Sequence, residues 1–164
     1  MIRRLALLAA AGVLVVLAGI QFVPVERTNP RVDPAQTVEQ QVPVPAQVRA
    51  ILDRSCKDCH SDETRWPWYA HVAPTSWLLA HHVSRAREEV NFSEWGQYDS
   101  DAERDLLIEI CRQVKRGAMP LGQYTLVHRE ARLSPQDVDA VCAWTRDIRK
   151  RLALGLAPGS GPAR

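Results

Sequence analysis

The stretch Cys56-Lys57-Asp58-Cys59-His60 constrains this chain more than any other. Two thiols three positions apart lie near one face of a helical turn, and the histidine after the second falls beside them. C-x-x-C-H is the attachment signature of c-type haem. The thiols add to the two porphyrin vinyl groups, and the imidazole becomes the proximal iron ligand. The signal is specific because three scarce residue types must fall at fixed offsets. Two rival readings ask for context that is missing. A thioredoxin-like dithiol wants a βαβ setting, and no strand alternation flanks the motif. A zinc site wants a second ligand pair at fixed spacing, whereas Cys111 and Cys142 are lone residues far downstream.

Haem c is attached outside the cytoplasm, so the N-terminus has to provide export. Arg3 and Arg4 precede an uninterrupted apolar run from Leu5 to Ile20. Signal-peptide cores span roughly 7–15 residues and membrane-crossing helices about 17–25. This run fits the second range, and its best cleavage pattern, Val16-Leu17-Ala18, is poor. Residues 1–23 are therefore expected to be an uncleaved anchor, the alternative being a signal peptide that is removed. The arginines stay cytoplasmic by the positive-inside rule, which puts the domain in the periplasm. A formal net charge of +2 gives no reason to expect a nucleic-acid partner.

Residues 24–45 carry Pro24, Pro30, Pro34, Pro43 and Pro45 among polar residues. Proline fixes φ and removes a donor, so this stretch is expected to be an extended tether. A domain of residues 46–157 follows, with a flexible tail at 158–164. The first domain helix begins near Ala46, with Val48, Ile51 and Leu52 on its apolar face, and runs into Cys56. A second runs from near Ser76 towards Val90. Leu79, Val83, Ala86 and Val90 form its buried stripe, and Arg85, Arg87, Glu88 and Glu89 its solvated face. Ser100-Asp101-Ala102-Glu103 has the form of a capping box opening a third, with Gly117 placed to stop it. Ser134-Pro135-Gln136-Asp137 signals the start of a fourth.

The site residues follow from this layout. Trp66, Trp68 and Tyr69 stand close after the motif, as a wall for the porphyrin edge or as an ordinary aromatic core cluster. Met119 lies just past a helix stop and before Pro120, a poor place for a core filler and a good one for a thioether facing iron. The bland alternative is a packing methionine. His71, His81 and His82 are further imidazoles, each more plausible as a surface residue than as a ligand. Cys111 and Cys142 sit beside the apolar stripes of two helices. They are expected to form a disulfide if those helices pack, or to stay buried thiols.

The run CKDCHSDETRWPWYAHVAPTSWLLAHHV, then RAREEVNFSEW, then GAMPLGQYTLVHREARLSPQDV and Trp144 resembles the bacterial haem-binding-domain family of small exported cytochrome-c-like proteins. The resemblance spans about Val48 to Trp144. It implies that Cys56 and Cys59 attach haem, that His60 is the proximal ligand and that Met119 is the distal one. It implies nothing about Cys111 and Cys142.

The expectation is thus an all-α, cytochrome-c-like domain of about four helices around one covalent haem c, held to a membrane by its N-terminal helix. Its function is one-electron transfer with redox partner proteins, without catalysis. The rival from another class is a haem enzyme or gas sensor whose sixth iron position is open. Met119 separates the two.

Overall fold

A computed structural model describes residues 1–156, so the expected tail at 158–164 lies outside the described residues. Every regular element among them is helical. Helix α1, Ile2–Ile20, buries none of its residues and has a mean hydropathy of 2.0, long and apolar enough to cross a membrane.

The proline-rich stretch departs from the expected extended tether. Asp33 Oδ1 accepts from Ala35 N, opening a 3₁₀ turn at Pro34–Gln36, and α2, Val38–Gln41, follows at once. Val38 and Val42 are both fully or nearly fully buried in the main core. Proline in a first turn starts a helix as readily as it breaks one, and Val38 and Val42 stand one helical turn apart.

Helix α3, Ala46–Ser55, buries Val48, Ile51 and Leu52 as its periodicity predicts. It does not continue into the motif. Cys56 breaks it with φ −128° and ψ −49°, and a separate single turn, α4, spans Lys57–His60. Helix α5, Thr75–Glu89, buries Val83 and Ala86, and Val90 just beyond it is buried too. Helix α6, Ser100–Lys115, is capped by Asp99 rather than Ser100, since Asp99 Oδ1 accepts from the Asp101 and Ala102 amides. Glu103, read as the far side of a capping box, is instead buried and accepts from Trp95 Nε1 at 3.0 Å. Burial holds its carboxyl above the usual range, and the indole donor offsets part of that rise.

Helix α7, Gly122–Val127, was not foreseen by periodicity, and α8, Pro135–Ala153, carries the expected start. Ser134 Oγ accepts from Asp137 N while Asp137 Oδ2 accepts from Ser134 N, closing a capping box. The four expected helices are α3, α5, α6 and α8. The extra ones, α2, α4 and α7, have only 4, 4 and 6 residues.

Helices α6 and α8 make the most extensive helix pair, and a disulfide joins Cys111 to Cys142 across it, with Cα atoms 4.9 Å apart. The main core sets Val38, Val48, Leu52, Phe92, Trp95, Leu107, Trp144 and Ile148 together. Trp144 packs near α3 and donates its Nε1 to Pro43 O at 3.0 Å, tying the end of the proline-rich stretch to α8.

Candidate functional site

The site begins where α3 breaks. The kink at Cys56 starts a new turn, and the Cys59 and His60 amides both bond to Cys56 O. Cys56 and Cys59 are therefore carried on one rigid turn. Both are half-buried free thiols. Burial pushes the Cys56 thiol up to about 12, with Cys59 adding to the effect. It pushes Cys59 up to about 11, helped by the Asp58 carboxylate. Both sulfurs are thus held protonated and neutral, as an apolar setting requires.

His60 is fixed from behind. Its Nδ1 lies 2.9 Å from Ala86 O and 3.1 Å from Val90 O, carbonyls at the C-terminal end of α5. Two acceptors require Nδ1 to carry the proton, so Nε2 keeps a free lone pair. Burial lowers the imidazole's pKa, and the bonds to Val90 and Ala86 oppose that only in part. The ring is neutral, oriented and one-sided. That is the arrangement of a metal-ligating histidine with its outer-shell acceptor in place. Phe92 packs against the ring edge at 6.3 Å, and its amide donates to His60 O at 2.8 Å.

The two middle residues of the motif, blank in the signature, tie the turn to both flanks. Lys57 Nζ pairs with Asp53 at 2.8 Å and with Glu39 of α2, and those carboxylates raise its pKa against the opposing effect of burial. Asp58 accepts from Arg65 Nε at 3.0 Å and Nη2 at 3.3 Å, and from Tyr124 Oη of α7 at 2.8 Å. Burial, then the bond to Asp58, keeps the Tyr124 phenol protonated. Ser55 Oγ, next to Cys56, is buried without a hydrogen-bond partner.

Arg87 overturns its expected place on the solvated face of α5. Its Nε donates to Ser61 O at 2.8 Å, Nη1 to Thr28 O at 3.1 Å, and Nη2 to Asn29 Oδ1 at 3.0 Å and Thr64 Oγ1 at 2.9 Å. It also stands 3.5 Å from the buried Asp62 carboxylate. The guanidinium fork therefore locks the loop after the motif to residues 28–29. Arg85, Glu88 and Glu89 do pair in solvent.

The aromatic wall is divided. Trp68 is 79% exposed, which removes the core-cluster reading for it. Trp66 donates to Asn29 Oδ1, and Tyr69 Oη shares a 2.6 Å hydrogen bond with His128 Nε2. His128 Nδ1 faces Glu130 at 3.2 Å, and its ring stacks on Tyr124 at 4.4 Å. Among the other histidines, His71 and His81 are exposed and His82 half-buried. His81 lines a cavity of about 740 Å³ between residues 26–30 and α5, which Arg87 and Asp62 also border. Cys56, Cys59 and His60 are not among its walls.

Met119 is half-buried in the loop between α6 and α7. Gly117, at φ +67°, closes α6 in a Schellman arrangement, with Ala118 N bonded to Gln113 O and Gly117 N to Val114 O. Five residues after Met119, Tyr124 is bonded to Asp58 of the motif, and Arg54 Nε holds Glu130 O at 3.1 Å. The Met119 loop is thus fastened at both ends, and its far end is fastened to the C-x-x-C-H turn.

An all-α domain built on such a turn, with two neutral thiols and a neutral imidazole offering one free nitrogen, has the groups that haem binding requires. The chain matches the haem-binding domain family over residues 15–147 and belongs to it. The match takes in the proline-rich stretch as well as the helices. No curated protein and no solved structure matches the chain.

Sequence reasoning missed Arg87, Lys57, Asp58, Tyr124 and His128. Lys57 and Asp58 were marked by their place inside the motif, and Arg87, Tyr124 and His128 only by lying in the runs that carry the family resemblance.

Proposed function

We propose that the chain holds one haem c through Cys56 and Cys59 and passes single electrons to and from redox proteins on the outer side of the cytoplasmic membrane. The observation that carries this reading is the His60 ring, whose Nδ1 is spent on Ala86 O and Val90 O while Nε2 is left free. The bound group supplies one-electron chemistry, its iron alternating between ferric and ferrous. The chain's own residues do the rest. His60 would hold the iron through Nε2 without rotating, because two carbonyls fix its Nδ1 side. Met119, in a loop that follows the α6 stop and is tied through Tyr124 to Asp58, would supply its thioether as the second iron ligand. Tyr69, held by His128, and the exposed Trp68 beside it would be the aromatic groups available to a porphyrin edge, and α1 would keep the domain at the membrane with Arg3 and Arg4 inside.

A second reading, a haem enzyme or gas sensor with an open sixth position, has one observation in its favour. Tyr69, His128 and Glu130 form a hydrogen-bonded chain of proton-carrying groups beside Tyr124 and Asp58. Optical spectra of the oxidised and reduced protein separate the two. The carrier is low-spin with a sulfur-to-iron charge-transfer band at the red end when oxidised. Met119→Ala erases that band, lowers the potential and admits carbon monoxide. A high-spin wild type, or six-coordination that survives without Met119, gives the second reading precedence.

A further inference from the structure

Helix α1 does not end in a free tether. Gln21, the first polar side chain after its apolar run, pairs with both backbone groups of one residue on the domain. Its Oε1 accepts from Ala73 N at 2.9 Å and its Nε2 donates to Ala73 O at 3.2 Å. The chain then stays on the domain surface. Arg27 Nη1 donates to Ala70 O at 3.1 Å, and Asn29 Nδ2 to Thr64 O at 2.9 Å. The end of α1 is therefore fixed against the segment that enters α5.

What surrounds that junction is apolar and uncovered. Phe22 is 86% exposed and Val23 51%, directly after Gln21. On the domain side Val72 is 44%, Trp77 36% and Leu78 49% exposed, all within five residues of Ala73 along the chain. From Trp66 to Ser84 the sequence has no Asp, Glu, Lys or Arg, in a chain that is 24% charged. An exposed apolar collar with a tryptophan, free of full charges and set at the end of a membrane-length helix, has the composition of a bilayer interface.

We propose that the collar of Phe22, Val23, Val72, Trp77 and Leu78 rests in the headgroup layer of the bilayer that α1 crosses, so that the domain lies on the membrane instead of being held away from it. The proposal rests on the anchor reading of α1. Its occupant is the phospholipid surface itself, because the helix that leaves the collar enters that surface at Gln21. The Gln21–Ala73 pair sets the angle of the domain on the bilayer. The C-x-x-C-H turn, bonded through His60 to the far end of α5, is carried at a fixed height above the lipid.

Hydroxyl-radical footprinting of the full haem-loaded chain in phospholipid nanodiscs tests this. The chain supplies its own references of matching residue type. Leu126 is 70% and Leu154 73% exposed, against Leu78; Val127 is 64% exposed, against Val72. The proposal requires Leu78 to oxidise several-fold more slowly than Leu126 and Leu154, and Val72 several-fold more slowly than Val127. Oxidation rates that merely follow the exposures, with the chain still co-eluting with the discs, overturn the proposal and leave the anchor intact. A chain that elutes free of the discs overturns the anchor reading and the proposal together.

Discussion

Arg87 has every kind of guanidinium nitrogen engaged, on acceptors from Thr28, Asn29, Ser61 and Thr64. Its side chain is 16% exposed and its carboxylate neighbour Asp62 is buried. Truncation removes several charge-assisted bonds and leaves buried acceptors unpaired. Arg87→Ala is expected to cost about 2–4 kcal/mol in chemical denaturation, and Arg87→Lys to recover only part, because an ammonium cannot serve the fork. A loss within the scatter of surface substitutions would show the network to be idle. None of this was legible in the sequence. The partners lie 23 to 59 positions away, so no local pattern marks an arginine on an apparently solvated helix face. Cys56, Cys59 and His60 were legible for the opposite reason, since their chemistry demands fixed local offsets.

At the scale of elements, long amphipathic helices announced themselves and single turns did not. The stripes of α3, α5, α6 and α8 each repeat over two turns or more, whereas the 4-residue α2 and α4 are too short for a period to show. Proline count misled in the stretch before α3, because the Val38–Val42 pair is one turn long. The cap of α6 moved by one residue because Asp99 Oδ1 takes the Asp101 and Ala102 amides, and the Glu103 amide that a Ser100 cap would use is already bonded to Asp99 O. Gly117 is the element-scale position with a direct functional consequence. Its φ of +67° is costly for any residue with a Cβ, and it launches the Met119 loop. Gly117→Ala is expected to lose about 1 kcal/mol of stability by the left-handed penalty. It should also weaken the sulfur-to-iron band, which a loss of helix stability alone would leave untouched. An unchanged band at reduced stability would detach the helix stop from the ligand loop.

For the whole molecule, the disulfide between Cys111 and Cys142 closes a loop over 31 positions and staples the most extensive helix pair. By chain entropy its removal in Cys111→Ser/Cys142→Ser costs about 3–4 kcal/mol. Thermal unfolding followed with and without reductant should show the same loss in the wild type and none in the double variant. Ready alkylation of both thiols without reductant would contradict it. The fold then holds three lines to one turn: Lys57 to α2 and α3, Asp58 to α7, and His60 to α5. That convergence explains why removing any one flank should disturb the same site. The central claim is covalent haem on that turn, and the intact mass of the full chain, taken after denaturation, tests it most directly. The account predicts the polypeptide plus one haem, and the bare polypeptide mass for Cys56→Ala/Cys59→Ala. A wild-type chain at its unmodified mass, or a double variant that still carries the haem, would contradict it.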